Sequence, residues 1–188
     1  VKTPWEQEQI RIASRKATAL FDEIDQHLRE GITELELSAS VEHRLRLLGH
    51  GGTVRIRRPG ADLSMLYAVS GEGGLYPTNF DGPVGAEGLY PFSSPGSGWK
   101  KIAAGETVML DMVFAYNGYH TDNARTFFMG AEVPERARQA HQLCLDTLLY
   151  LEERLRPGTH CAELFRETQG WVEAQGEPEG FMDFEDNR

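Results

Sequence analysis

An α+β fold is predicted by three features of this 188-residue chain. Apolar residues recur at helical spacing towards both ends, short strand-like apolar runs lie between them, and Asn117-Gly118 splits the longest of those runs as a tight hairpin turn would. The predicted order is helix, helix, strands, hairpin, helix, helix.

Thr3-Pro4-Trp5-Glu6 opens the first helix with a capping box and a proline at the first helical position. Ile10, Ala13, Ala17, Leu20, Phe21, Ile24 and Leu28 follow at steps of three and four, so one face is buried, and Gly31 is the expected stop. Thr33-Glu34-Leu35-Glu36 is a second capping box; its helix turns Leu37, Val41, Leu45 and Leu48 inward and closes at Gly49. Strands are expected near 54–57 and 65–69. Residues 70–98 are rich in glycine and proline and lack periodicity, which is too long for an ordinary connection. An ordered loop beside a substrate or interface and a variable surface loop both fit them. Val133-Pro134 begins a third helix with a stripe of Ala137, Ala140, Cys144, Leu148, Leu151 and Leu155. Pro157-Gly158 stops it, and Thr159 caps a fourth that runs to about Ala174.

The hairpin region, residues 108–130, carries an aspartate in each arm, Asp111 and Asp122, although aspartate is depleted from strands. With Asn117 and Gly118 as the two loop residues, Tyr116 faces Tyr119, Val113 faces Asp122, and Asp111 faces Ala124. Strand side chains alternate with period two, so both carboxylates leave the same face as diagonal neighbours, with backbone positions roughly 7–8 Å apart. Carboxylates so placed can converge on one cation or bridge a pair of cations. An exposed, solvated face explains the spacing equally well. A bulge would break the parity. His120 shares the inner face with Asp122 in this register, and Arg125 lies on the opposite one.

These residues resemble the first metal-ligand hairpin of the methionine aminopeptidase, Xaa-Pro aminopeptidase, proline dipeptidase and creatinase family. The pattern is an apolar strand ending in Asp, a Gly-Tyr turn, and Asp-x-Thr-Arg-Thr, carried here by Asp111, Gly118, Tyr119, Asp122, Arg125, Thr126 and Phe127. The likeness is strongest to the Xaa-Pro branch and extends to the opening residues 2–13, to Gly71-Glu72-Gly73-Gly74-Leu75-Tyr76-Pro77, and to the helix after Pro134. It implies the pita-bread fold, with 1–130 as the first half of one catalytic domain, 131–188 as helices of the second, and the C-terminal part missing. It also implies a metallopeptidase that releases N-terminal residues from peptides with proline in the second position. In such an enzyme a metal-bound hydroxide attacks the peptide carbonyl and a glutamate moves the proton. The implied cofactors of the intact enzyme are two divalent ions (manganese, cobalt, zinc or iron), with Asp111 and Asp122 as ligands; His120 is read from the register alone, as a local ligand or substrate contact at a position the family does not use as a ligand. This chain alone is expected to bind metal weakly or not at all and to be inactive. Met112 and Val113 stand where the family has a small residue and glycine, Ala124 replaces the threonine, and no histidine lies between Gly71 and Leu110. Ala124 and the absent histidine favour the alternative, a non-catalytic pita-bread module that binds a protein or peptide, and retention of both aspartates weighs against it.

The formal net charge of −10 disfavours nucleic acid and anionic membranes as partners. No apolar run approaches the ~20 residues that span a bilayer. Cys144 and Cys161, seventeen apart, form neither a zinc nor a redox spacing, which suits a reducing cytoplasm. An open half-sheet has unpaired edges, so a homodimer is expected. Among the other histidines, His27, His43 and His141 read as helix-surface residues, His50 as a loop residue without a partner, and His160 as a helix-start residue without a clear role. Arg55, Arg57 and Arg58 form a small basic cluster, and Glu185-Asp186 an acidic, solvated tail.

Overall fold

The computed structural model describes residues 1–54, 64–76, 85, 87–90 and 96–176. Contacts divide the chain into two units, Val1–Gly130 and Ala131–Arg188. Of the expected strand at 54–57 only Val54 is described, and it is not in a strand; 55–57, the arginine cluster, much of the 70–98 loop and the acidic tail lie outside the described residues.

The first unit is a three-stranded antiparallel sheet, β1 (Leu66–Ser70), β2 (Thr107–Tyr116) and β3 (Tyr119–Phe128), in the order β1-β2-β3. Helices α1 (Pro4–Asp22) and α2 (Glu34–Leu47) pack on one face. β2 decides which face. Val108, Leu110, Met112 and Phe114 are fully buried, whereas the intervening Met109, Asp111 and Val113 are half-buried. This is the period-two pattern of a strand with one covered side. Its inward residues meet Leu66 and Ala68 of β1, Ala13, Ala17, Leu20 and Phe21 of α1, and Leu37, Val41 and Leu45 of α2. Burying each large apolar side chain contributes roughly 1.5–3 kcal/mol, so this cluster fixes both helices to the sheet.

Both capping boxes form. Thr3 Oγ1 accepts from Glu6 N–H at 3.3 Å while Glu6 accepts from Thr3 N–H at 2.6 Å. Thr33 and Glu36 do the same at 3.1 and 2.8 Å. The first helix ends earlier than its periodicity suggests. It stops at Asp22, and a 3-10 turn, Ile24–Gln26, replaces its last turns. The tighter winding keeps Ile24 in the core and leaves Glu23 to receive both Nε and Nη2 of Arg44 from α2, at 2.7 and 2.9 Å. Leu28 still packs against the core at its edge, and Gly31 follows with φ +86°.

Part of the long loop is ordered as a clip across the start of α2. Glu34 is 3% exposed, and its carboxylate accepts from Ser70 N–H (2.7 Å), Ser70 Oγ (2.9 Å) and Gly98 N–H (3.2 Å). The backbone N–H groups of Glu34 and Leu35 donate to the carbonyls of Lys100 and Gly98. Lys100 then bonds Ser70 Oγ and pairs with Glu106 at 2.7 Å.

In the second unit α3 (Glu135–Arg154) and α4 (Cys161–Ala174) form a helical pair. The buried stripe of α3 is rotated from the expected one. Leu143 is buried and Tyr150 stacks on Trp171 of α4 at 4.7 Å, while Cys144, Leu148 and Leu155 are exposed. The inward side of α3 is set by α4, and periodicity alone does not locate that partner. Thr159 is not the cap of α4. His160 holds that position without a side-chain bond, and Thr159 Oγ1 instead accepts from Arg156 N–H at 3.0 Å within the preceding turn. Among the described residues no helix is long and apolar enough to cross a membrane.

Candidate metal centre

Residues 117 and 118 make the two-residue turn. Asn117 has φ +49° and Gly118 φ +81°, and positive values at both central positions are what a type I′ hairpin requires. The pairing is Tyr116↔Tyr119, Val113↔Asp122 and Asp111↔Ala124, without a bulge. Three contacts to α1 pin this tip: Tyr119 Oη donates to Glu6 (3.0 Å), Asn117 Nδ2 donates to Gln9 (2.9 Å), and Trp5 meets the Tyr119 ring edge-on at 5.8 Å. The turn and its docking hold the register that brings the two aspartates together.

Both carboxylates lie on the sheet face away from α1 and α2. Asp111 is half-buried and Asp122 exposed. Burial pushes the Asp111 carboxyl above the ordinary carboxylate range, a hydrogen bond from Tyr67 opposes that, and the charge of Asp122 adds to it. The two acids therefore interact through space and repel. That is a chemical reason for a cation to sit beside them, and hard oxygen donors suit a divalent ion. They supply part of a site. Among the described residues no cluster of three or more His, Cys, Asp or Glu side chains is positioned to hold a metal.

Tyr67, which sequence reasoning passed over, is the cross-strand partner of Asp111 on β1 and is 4% exposed. Its phenol, hydrogen-bonded to Asp111, is pushed well above the ordinary tyrosine range, first by burial, then by that bond and by the charges of Asp111 and Asp122. The one signal in the sequence is a tyrosine inside an apolar strand, since a buried Tyr hydroxyl usually finds a partner. Which partner depends on strand pairing.

His120 lies opposite Ala115, on the same face as Asp122, and its Nε2 is buried without a hydrogen-bond partner. His50, read as a partnerless loop residue, is instead a fixed structural group at 3% exposure. Gly52 N–H donates to its Nδ1 at 2.7 Å, so the proton sits on Nε2, which donates to the Val113 carbonyl at 3.0 Å. Its ring meets Phe114 edge-on at 5.5 Å. Burial, then Arg46 and His120, hold His50 below the ordinary histidine range against the effect of its Val113 bond. Among the other histidines, His43 and His141 are exposed, whereas His27 is half-buried with Nδ1 2.7 Å from Ser40 Oγ. Arg125 lies on the helix face, its guanidinium 5.2 Å over the Phe21 ring.

A cavity of about 310 Å³ lies elsewhere, lined by Glu34, Glu72, Tyr76, Glu87, Trp99 and Lys100 among others; neither aspartate borders it.

The fold is shared with solved enzymes. An X-Pro aminopeptidase from Thermotoga maritima superimposes with a TM-score of 0.73 at 21% identity, over 95% of this chain and 44% of that one. The prolidase from Pyrococcus furiosus gives 0.70 at 22% identity, over 96% and 46%. Dipeptidase PepE from Mycobacterium ulcerans gives 0.72 at 19%, over 96% and 42%. The chain thus has the pita-bread architecture and spans less than half the length of these structures. Residues 8–186 match the model of metallopeptidase family M24, and the chain belongs to that family.

Proposed function

We propose that Asp111 and Asp122 are two ligands of the divalent-metal site of an Xaa-Pro-type aminopeptidase or dipeptidase, with His120 as a substrate contact. The observation that carries this reading is the same-face, diagonal placement of two carboxylates in an unbroken hairpin register. A cation beside them relieves the repulsion, and manganese, cobalt, iron and zinc all accept such donors. Metal, when bound, supplies Lewis-acid polarisation of a peptide carbonyl. The chain's own residues have the other tasks. Asp111 and Asp122 would hold the metal, and His120, on the same face as Asp122, would contact the peptide. The names of the similar structures support peptides with proline in the second position as the substrate class.

Two carboxylates are few ligands, so the 188-residue chain binds metal weakly and is inactive by itself. Calorimetric titration with Mn²⁺ tests this. Weak binding that disappears in both Asp111→Asn and Asp122→Asn supports it; binding unaffected by either substitution refutes the ligand assignment, and sub-micromolar affinity refutes the half-site. Ala124, which brings no hydroxyl beside Asp111, and the sequence between Gly71 and Leu110, which has no histidine, favour a second reading, a non-catalytic peptide- or protein-binding module. Asp122→Asn in a protein that carries the whole domain separates the two, because unchanged peptidase activity would favour the module.

A further inference from the structure

β1 accompanies β2 only as far as the row Leu66↔Met112. One residue further on, the Met65 carbonyl accepts the Val113 N–H at 2.9 Å, and there the help of that strand ends. The loop after α2 takes over the edge. His50 Nε2 donates to the Val113 carbonyl at 3.0 Å, and Gly51 N–H donates to the Ala115 carbonyl at 3.2 Å. Gly49 and Gly52, at φ +96° and +90°, bracket the turn that aims the imidazole inward, where His50 is 3% exposed and accepts from Gly52 N–H. Val113 stands opposite Asp122, and two residues from Asp111 on the same face. In an antiparallel pair, alternate residues point their backbone groups to opposite neighbours. Val113 uses both of its groups on the β1 side, so its row with Asp122 is a non-hydrogen-bonded one. Asp111, by contrast, lies opposite Tyr67 in the part of β2 that β1 itself pairs.

We propose that His50 is a positioning residue for the metal face. Its bond to the Val113 carbonyl, made where β1 has run out, holds the row of Asp122 against the row of Asp111 and so sets the affinity for a divalent cation. The inference rests on the reading of both aspartates as ligands. His50 touches no metal in this scheme; it acts through the backbone of Val113. Without that bond β2 is anchored at Asp111 by β1 and is freer to twist two residues later, so a cation has to order the two rows as it binds. Ordering at that moment costs conformational entropy, whereas a bond already made has removed that freedom beforehand. Such coupling is reciprocal: if the bond strengthens metal binding, metal binding strengthens the bond by the same factor.

The test uses the 188-residue chain with Mn²⁺ alone as probe, followed by calorimetry. Two variants separate the two bonds of the ring. His50→Gln sets an amide N–H near the Nε2 position and keeps a donor for Val113, whereas His50→Asn sets a carbonyl oxygen near the Nδ1 position and keeps only the acceptor for Gly52. His50→Asn should weaken Mn²⁺ binding about three- to tenfold, the worth of one hydrogen bond, while His50→Gln binds near wild type. A purely structural histidine would lower the urea midpoint in both variants and move the affinity in neither. A folded His50→Asn that binds no more weakly than His50→Gln, beside an Asp111→Asn that loses binding, overturns the positioning role and leaves the ligand reading intact. An Asp111→Asn that binds as wild type does, or a wild-type chain that binds no Mn²⁺, overturns the ligand reading and this proposal with it. Should His50→Asn fail to fold, nuclear magnetic resonance of the His50 Nε2–H proton in the wild-type chain during a Zn²⁺ titration replaces it. Slower exchange of that proton with solvent as zinc saturates is expected, and saturation without such a change overturns the proposal.

Discussion

Asp122→Asn should make the metal-free chain more stable. The substitution removes one of two like charges and keeps the shape of the side chain. Diagonal strand neighbours are roughly 7–8 Å apart, and unit charges at that distance repel by about 2 kcal/mol at an effective dielectric of 20 and about 0.5 kcal/mol in bulk water. Asp122 is exposed, which draws the value towards the smaller figure, and Asp111 is half-buried, which draws it back. A gain of about 0.5–1 kcal/mol at pH 7 and low ionic strength is expected. Among the described residues no hydrogen bond or ion pair holds the Asp122 carboxylate, so nothing is lost in exchange. The sign agrees with Asp111, whose proton affinity is raised on folding. An ionised group in that position subtracts stability, the deficit being absent well below the unfolded carboxylate value near 3.9 and complete above the folded one. The assay is equilibrium unfolding in urea, which unlike guanidinium adds no salt, with chelator present, at about 20 mM and 1 M NaCl. Salt shortens the screening length to about 3 Å and should erase most of the gain. An Asp122→Asn chain less stable than wild type, or a gain indifferent to salt, would refute the claim that the two carboxylates repel across this face.

Glu34→Ala removes the acceptor of three donors at a buried position, and at about 1–3 kcal/mol for each donor group left unsatisfied the loss should be on the order of 3–5 kcal/mol in urea unfolding; a change under 0.5 kcal/mol would show the clip to be solvated. His50→Gln strands the Val113 carbonyl or the Gly52 N–H and should cost about 1–3 kcal/mol at pH 7.5. Because burial holds His50 and His27 below their ordinary value, the unfolded chain takes up protons first, so wild-type stability is retained above about pH 6.5 and falls below it, by at most about 1.4 kcal/mol per pH unit for each group. His50→Gln should flatten that decline between pH 7.5 and 5.5, and an unchanged slope would exclude His50 as a source. Gly118→Ala forces an L-residue to φ +81° and should cost about 1–2 kcal/mol in the same assay, a neutral result arguing against the type I′ turn.

The hairpin was legible because its determinants are local. Asn-Gly selects the turn, the turn selects the register, and period-two alternation then assigns every side chain of both strands to a face, Asp111, His120 and Asp122 included. Both helix starts were legible for the same reason, since a capping box lies within four residues. Where the chain's own spacing was ambiguous, packing decided. The stripe of α3 rotated towards Leu143 and Tyr150 because α4 stacks Trp171 there, and the first helix tightened after Asp22, where Glu23 meets Arg44 of α2. Neither partner is near in sequence.

Sequence by itself determined the α+β order, the turn and the shared face of the two aspartates, since each follows from bonds and dihedral preferences within a few residues. Only the tertiary structure decided which groups surround that face. Tyr67 faces Asp111 from 44 positions earlier because β1 pairs with β2, His50 reaches the Val113 carbonyl from 63 positions earlier, and Glu34 gathers donors from Ser70 and Gly98. Such contacts depend on which distant surfaces lose water together, and no short-range pattern encodes that choice.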